Sequence, residues 1–168
     1  MGQNIVPTDS GKDREIDMEE NLILLDESYL ELMADLFKKA FAGEPWHDDW
    51  SDRTQLLEYI KEISNGYNAL NYGLVYDGKL IAMSVGMIRH WWEGTNYNIE
   101  ELCVDPDYQG QGVGTRFINL IKEEIKRKNL NGIFLQTDDD KPAYKFYMKN
   151  GFINLETHVS LYKDVKKS

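Results

Sequence analysis

The stretch Leu102-Cys-Val-Asp-Pro-Asp-Tyr-Gln-Gly-Gln-Gly-Val-Gly-Thr115 decides the fold. It joins a predicted strand directly to a predicted long helix, and its glycines stand at positions 110, 112 and 114. Because glycine has no side chain, the backbone N–H groups of this turn can approach an anion closely. The start of the helix adds unpaired N–H groups and a partial positive charge. We therefore predict a pyrophosphate site here.

Two common phosphate-binding motifs do not fit this turn. A P-loop requires a lysine after its last glycine, and the turn has none. The dinucleotide motif Gly-x-Gly-x-x-Gly also fails, because Thr115 and Phe117 stand where its last glycine would be. What remains is Gln-x-x-Gly-x-Gly, and the alternative is a glycine-rich turn that binds no ligand.

Apolar spacing around the turn predicts the other elements. A helix should begin near Gly112, because apolar residues recur at every fourth position from Val113 to Ile125. Ser51 is expected to N-cap an earlier helix, and Gly94-Thr95 to form a turn. The predicted strands span residues 21–25, 72–76, 80–88, 97–104, 133–136 and 158–162, and the predicted helices begin near residues 28, 51, 112 and 143. This order predicts an α/β or α+β fold with helices on both faces of a mixed sheet.

Size and composition narrow the function. The 168 residues suit one domain, predicted over residues 21–168 after a polar leader at residues 1–20. A net charge of −10 argues against nucleic acid as a partner and favours cationic ligands, although it equally well keeps a protein soluble. The one cysteine forms no internal disulfide, which points to the cytoplasm. No apolar run is long enough to span a membrane.

A second motif joins the glycine turn. The stretch Ala143-Tyr-Lys-Phe-Tyr-Met-Lys-Asn-Gly-Phe152 resembles Ala-x-x-Phe-Tyr-x-x-x-Gly-Phe, and Leu102–Thr115 is similar to Leu-x-Val-x-Pro-x-x-Gln/Arg-x-x-Gly-x-Gly. Both motifs are typical of the GNAT superfamily of N-acetyltransferases, which the chain resembles over residues 21–164. The resemblance implies a GNAT-like sheet with a splay between two parallel strands, and acetyl-CoA as cosubstrate.

The same resemblance implies a set of coenzyme-binding residues. They contact the pyrophosphate or the pantetheine arm through their backbone, and they are Cys103, Val104, Gln109, Gly110, Gln111, Gly112, Val113, Gly114 and Thr115. Asp140 stands where many relatives carry asparagine, so a contact from that side chain is not carried over.

Tyr147 and Glu101 are the candidate catalytic residues. The resemblance implies that the Tyr147 hydroxyl lies near the thioester sulfur, where it would protonate the departing thiol; the alternative is an ordinary core tyrosine. Alternation along a strand leaves Glu101 facing a cleft while Leu102 faces the core, so Glu101 is expected to accept the proton of the amine or to bind its ammonium. Glu100 and a chain of water molecules are the alternatives.

Cys103 could suggest a covalent acyl-enzyme. A cysteine nucleophile requires a nearby base to form its thiolate, and none of the three histidines has a sequence link to it. A small strand residue is therefore the favoured interpretation. The run Asp138-Asp139-Asp140 lacks the spacing of a calcium loop, so we expect no metal.

Two aromatic and acidic segments suggest an acceptor site. Trp46, Asp49 and Trp50 lie between the first two helices, and Trp91 lies in a second cluster at a strand end. Tryptophan faces with carboxylates suit a cationic amine, although tryptophans also cover cores. We expect direct acetyl transfer to a small polar amine resembling an aminoglycoside. A peptide or protein amine, or a non-catalytic acyl-CoA sensor, is the alternative, and a homodimer is among the possible assemblies.

Overall fold

The sheet is centred on one long hairpin. The computed structural model describes residues 19–166, so nearly all of the predicted leader at residues 1–20 lies outside the described part. The strands follow one another across the sheet in chain order, and they are β1 (Asn21–Leu24), β2 (Tyr72–Tyr76), β3 (Lys79–Trp91), β4 (Gly94–Val104) and β5 (Gly132–Phe134). Strands β1 to β4 pair antiparallel, and β4 pairs with β5 in parallel. The predicted mixed sheet is confirmed.

Helices cover both faces of the sheet, as predicted. They are α1 (Leu30–Phe41), α2 (Arg53–Ser64), α3 (Val113–Arg127) and α4 (Pro142–Lys149). Helices α1 and α2 pack on the face that carries Met83, Val85 and Cys103. Helix α3 packs on the other face through a fully apolar stripe, because the predicted four-residue spacing places Phe117 and Ile121 directly against the sheet. No helix within residues 19–166 combines the length and the apolar character needed to cross a membrane.

A β-bulge in β4 sets which residues face which layer. Val85 lies opposite Glu101 but Gly86 lies opposite Ile99, so Glu100 is an extra residue on the β4 side. The bulge needs a glycine on β3, since a Cβ at Gly86 would lie 2.1 Å from the carbonyl oxygen of Asn98. As a result Ile99 and Leu102 both pack toward α3, while Glu101 turns toward α1 and α2.

The two parallel strands pair over only a short length. β4 and β5 pair through the residue pairs Asn96–Gly132, Tyr97–Ile133 and Asn98–Phe134. β4 then continues for six residues to Val104, whereas β5 ends at Phe134. On the side that faces β5, the second half of β4 has no strand partner and borders an open gap. This gap corresponds to the predicted splay.

Four local predictions are corrected by the structure. Residues 158–162 form no strand; they are exposed and pair with no other strand, so a β-prone sequence alone is not sufficient there. Asp52, not Ser51, caps α2, because its carboxylate accepts the N–H of Gln55. Gly94-Thr95 belongs to β4, and the turn is formed by Trp92 and Glu93. Helix α1 begins at Leu30, after a 3-10 turn at Glu27–Tyr29.

Candidate functional site

The glycine turn, residues 109–115, presents free backbone donors. Gly110 and Gly112 have φ angles of 74° and 77°, a left-handed conformation that favours glycine, and Gly112 is the N-cap of α3. Within the described part of the chain, the N–H groups of residues 110–115 donate to no other protein group. Six unpaired donors at the positive end of a 15-residue helix suit a diphosphate.

Side chains around the turn hold its shape. The Nε2 of Gln109 donates to the carbonyl oxygen of Val104 at 3.0 Å. The Nη1 of Arg116 donates to the carbonyl oxygen of Gln111 at 2.9 Å. The rest of the Arg116 guanidinium forms a two-pronged ion pair with Glu20, at 2.9 and 2.6 Å. The turn is therefore fixed both to the end of β4 and to the segment before β1.

A buried carboxylate anchors the segment that leads from β4 into the glycine turn. Asp105 follows β4 directly, and only 2% of its side chain is exposed. It accepts hydrogen bonds from Lys39 of α1 at 2.7 Å, from Lys79 of β3 at 2.9 Å and from the backbone N–H of Asp107 at 2.9 Å. Asp105 therefore connects the turn to a helix on one face and to the neighbouring strand.

Only some backbone N–H and C=O groups of β4 point into the splay, where they have no strand partner. Asp105 lies opposite Ile81 and donates its N–H to the carbonyl oxygen of Ile81, so the alternating antiparallel pattern directs the backbone of Cys103 toward β3 as well. The backbone groups of Leu102 and Val104 point the other way, toward the splay. Of the two positions predicted to pair with a pantetheine arm, Val104 has the suitable orientation and Cys103 does not.

A cleft of about 340 Å³ opens at the splay. Its walls come from α1, the loop after α1, β4, the segment after β5, and α4. The lining residues are Phe37, Phe41, Trp46, Asp48, Trp50, Ile99, Glu100, Glu101, Leu102, Leu135, Gln136, Thr137, Asp138, Ala143 and Tyr147. The cleft thus brings both predicted catalytic residues together with two of the predicted substrate-binding tryptophans.

The charge of the cleft has one sign. Asp48, Glu100, Glu101 and Asp138 line it, and no lysine, arginine or histidine is among the described lining residues. Aromatic side chains line the same cleft, namely Phe37, Phe41, Trp46 and Trp50. An acidic cleft with aromatic walls favours a cationic ligand.

Glu101 is partly buried, and a hydrogen bond from helix α2 holds its carboxylate. The hydroxyl of Tyr59, on α2, donates to its Oε1 at 2.5 Å. Desolvation raises the pKa of Glu101 above its ordinary value, and the charges of Asp48 and Glu100 act in the same direction, while the hydrogen bond from Tyr59 opposes them. A carboxylate whose pKa is raised is a stronger base than a solvated one.

Tyr147 lies on the opposite wall, on α4. It is 9% exposed, and its ring packs between Phe146 and Phe152, with centroids 5.2 and 5.3 Å away. Burial raises the pKa of its phenol, with the nearby Cys103 and Glu101 adding to the effect. The hydroxyl therefore stays protonated at neutral pH and is able to donate a hydrogen bond into the cleft.

Cys103 is buried beneath the cleft. Desolvation raises the pKa of its thiol strongly, and the negative charges of Glu101 and Asp105 raise it further. The thiolate that covalent catalysis requires is thus disfavoured. This environment supports the favoured interpretation of Cys103 as a packing residue.

Two of the predicted acceptor residues do not line the cleft. Asp49 is exposed, and its carboxylate accepts the N–H of Ser51; Asp48 lines the cleft instead. Trp91 is 62% exposed at the tip of the β3–β4 hairpin. At about 3.3 Å per residue along β4, roughly 30 Å of strand separates that tip from the glycine turn.

Several cleft residues were missed by sequence reasoning. Asp48, Gln136 and Thr137 line the cleft, and Tyr59 contacts Glu101 from outside it. Asp48 belongs to the same predicted acidic and aromatic segment as Trp46 and Trp50, but its neighbour Asp49 was chosen as the site residue. Tyr59 gave no signal, because its position on an amphipathic helix is typical of an ordinary core residue.

Comparison with known proteins identifies a family. The sequence profile of the acetyltransferase (GNAT) family matches residues 30–152. A thialysine N-epsilon-acetyltransferase from Mus musculus is 32% identical over 85 residues, which cover 50% of this chain and 44% of that protein. The ribosomal protein bS18-alanine N-acetyltransferase of Escherichia coli (strain K12) is 28% identical over 104 residues, covering 61% and 64%. The chain thus spans 44% to 64% of the length of these two relatives.

Solved structures share the fold. The aminoglycoside N-acetyltransferase AAC(6')-Iy in complex with CoA has a TM-score of 0.66 and 19% identity, covering 88% of this chain and 96% of that one. The aminoglycoside acetyltransferase meta-AAC0020 from an uncultured soil sample, in complex with sisomicin, has a TM-score of 0.66 and 21% identity, covering 87% and 96%. The family profile spans most of the chain and includes the glycine turn, the splay and α4. This chain belongs to the acetyltransferase (GNAT) family.

Proposed function

We propose that the protein is an acetyl-CoA-dependent N-acetyltransferase. It transfers the acetyl group by direct attack of a primary amine, and its acceptor is a small, polar, cationic molecule. The observation that carries this proposal is the shared cleft, in which Glu101 and Tyr147 face one space beside the open half of β4.

The donor side fits coenzyme A. The free N–H groups of residues 110–115 suit its pyrophosphate, and the backbone groups of Leu102 and Val104 are oriented toward a pantetheine arm in the splay. An arm lying there would place its thioester next to Tyr147. These roles rest on residues of this chain whose donors and orientation match the chemistry of the cosubstrate.

Each catalytic group has one proton to move. Glu101 accepts a proton from the ammonium, directly or through water, which frees the nitrogen lone pair. The nitrogen then bonds to the thioester carbon, the C–S bond breaks, and Tyr147 supplies the proton that the departing sulfur takes up. The second proton lost by nitrogen returns the tyrosine to its neutral form through solvent. The products are one amide, one free thiol and one proton, which Glu101 releases to solvent before the next turnover.

The acceptor class follows from charge and size. Four carboxylates and two tryptophans line a space of about 340 Å³, which is near the lower end for small-molecule sites. The amino group of an aminoglycoside-like compound matches the charge of the cleft, and a structural neighbour, meta-AAC0020, was solved in complex with sisomicin. Amino sugars, polyamines and lysine-like amines belong to the same chemical class.

A thiol-release assay tests this function. Purified protein with acetyl-CoA and a panel of amines should release CoA with at least one small cationic amine. Glu101→Gln should lower that rate by roughly 10²-fold or more while leaving CoA binding unchanged. Glu58→Gln is the matched control, since Glu58 is an exposed glutamate on α2 outside the cleft. If calorimetry detects no CoA binding, the proposed function is wrong.

A peptide amine is the second candidate acceptor. It is favoured by the relative named as a ribosomal protein bS18-alanine N-acetyltransferase, which is 28% identical over 104 residues. A peptide with an N-terminal alanine therefore belongs in the same panel. Rapid turnover of that peptide, with none of the small amines, would favour this alternative, and CoA binding without turnover of any amine would favour a sensor.

A further inference from the structure

We propose that Tyr59 is a positioning residue, which holds Glu101 in the ionised, cleft-facing form that accepts the proton of the amine. The proposal rests on the proposed function, because it assigns Glu101 the role of base. Tyr59 itself is absent from the cleft lining and contacts Glu101 from the side of α2.

The geometry fixes the phenol of Tyr59. Its ring stacks on Trp50, with centroids 5.3 Å apart and planes at 21°, and it also packs on Phe37 at 5.6 Å. With its ring held on two sides, the Tyr59 hydroxyl has little freedom except to point at Oε1 of Glu101. One carboxylate oxygen is thereby engaged, and within residues 19–166 no hydrogen bond occupies the other.

The surroundings of Glu101 otherwise oppose its charge. The titratable groups around it are Asp48 from the loop after α1, Glu100 and Cys103 on β4, Tyr147 from α4 and Tyr59 from α2, and Asp138 lines the same cleft from the segment after β5. Desolvation and the carboxylates raise the pKa of Glu101, and the Tyr59 hydrogen bond is the influence that lowers it. No cation is among these described neighbours. Loss of the hydroxyl therefore leaves Glu101 protonated at a higher pH.

The same contact joins the base to the acceptor wall. Trp50 lines the cleft and is the residue on which Tyr59 stacks, so one side chain of α2 touches both the candidate base and a candidate acceptor surface. A substitution that removes only the hydroxyl separates these two roles, because the ring and its stacking on Trp50 remain.

Tyr59→Phe is the test variant, and Tyr67→Phe is its control, because Tyr67 is fully exposed. The pH profile of kcat/KM for the amine is measured with acetyl-CoA at saturation. In Tyr59→Phe the acidic limb should move to higher pH, and the rate below that limb should fall about tenfold relative to wild type. The KM for acetyl-CoA should not change. An unaltered acidic limb would overturn the proposal.

A second measurement needs no acceptor amine. In wild-type protein, the ¹³C NMR signals of the Glu101 carboxyl and of the Tyr59 ring carbon bearing the hydroxyl should titrate with one common midpoint. In Tyr59→Phe the Glu101 midpoint should move to higher pH. Independent titrations, or an unmoved midpoint, would contradict the role of Tyr59. This readout does not depend on turnover. Failure to find an acetylated amine would therefore contradict the proposed function but not the contact between Tyr59 and Glu101.

Discussion

The Nζ of Lys39 and the Oδ1 of Asp105 lie 2.7 Å apart, and they connect the last turn of α1 to the segment between β4 and the glycine turn. Lys39 also reaches Asp107 at 2.6 Å. Helix α1 also contributes Phe37 and Phe41 to the cleft. One ion pair therefore connects a wall of the cleft to the segment that leads into the glycine turn.

Asp105→Asn should lower both the stability of the fold and the affinity of the protein for CoA. Asparagine leaves Lys39 and Lys79 facing a buried neutral amide, which should lower the free energy of unfolding by about 2–4 kcal/mol. Urea unfolding measures the loss, and calorimetry should show weaker CoA binding. Asp107→Asn is the control, because the Asp107 side chain is 67% exposed and its loss should cost far less.

The effect of Asp105 depends on pH with a definite sign. Desolvation raises its pKa, but the hydrogen bonds from Lys39, the Asp107 N–H and Lys79 outweigh it, so the folded-state pKa lies below the ordinary 3.8. Its contribution to stability is therefore complete above 3.8 and is lost as the pH falls through the folded value. The stability gap between wild type and Asp105→Asn should narrow in that window, and an equal gap at all pH values would contradict this assignment.

Tyr147→Phe should slow acetyl transfer and spare cosubstrate binding. The variant keeps the ring that packs on Phe146 and Phe152 and removes only the hydroxyl proton. We expect turnover to fall roughly 10²-fold, with the Kd for CoA nearly constant. Tyr144→Phe is the control, since Tyr144 does not line the cleft. Parallel loss of CoA binding would instead indicate a structural role.

Gly114→Ala should disturb the glycine turn, because the added methyl group would press on Phe146 of α4. A Cβ at Gly114 would lie 3.0 and 3.1 Å from two ring carbons of Phe146, so the Phe146 ring on α4 would have to shift by a few tenths of an ångström. We expect a loss of about 1–3 kcal/mol in the free energy of unfolding and weaker CoA binding. At Gly66 a Cβ meets nothing within 4 Å, so Gly66→Ala should leave both quantities near wild type.

Cys103→Ala should retain catalysis. The thiol is buried and its pKa is raised, so a direct transfer does not need it. Initial rates should stay close to wild type, and mass spectrometry should find no acetyl group on the protein after mixing with acetyl-CoA. An acetylated Cys103 peptide, or abolished turnover in the folded variant, would favour a covalent intermediate instead.

The sequence predicted the layers and the donor turn because their signals are local. The stripe from Val113 to Ile125 follows helical spacing, and the glycines act through their own backbone. Glu101 was expected to face the cleft because it alternates with Leu102, whereas the bulge at Glu100, which places Ile99 on the same side as Leu102, involves the partner strand. A glycine inside a strand, such as Gly86, is the one local sign of a bulge.

The site features that the sequence did not predict depend on contacts between segments that are far apart in the chain. Trp91 and Trp46 have similar acidic surroundings in the sequence, but only the path of the chain places Trp46 in the cleft and Trp91 at a hairpin tip. Tyr59 and Glu101 are 42 residues apart, and no periodicity links them. Residues 158–162 have strand-like composition, and strands form only where a neighbour supplies hydrogen bonds.

The ion pair between Glu20 and Arg116 has a practical consequence for protein engineering. A shortened version beginning at Asn21 would keep every strand and helix of the described fold, yet Arg116 would lose its carboxylate partner. The released guanidinium, still next to the unpaired amides of the glycine turn, would then be available to an incoming anion. Trimmed and full-length preparations would therefore differ in their response to salt and phosphate buffers while giving indistinguishable circular dichroism spectra.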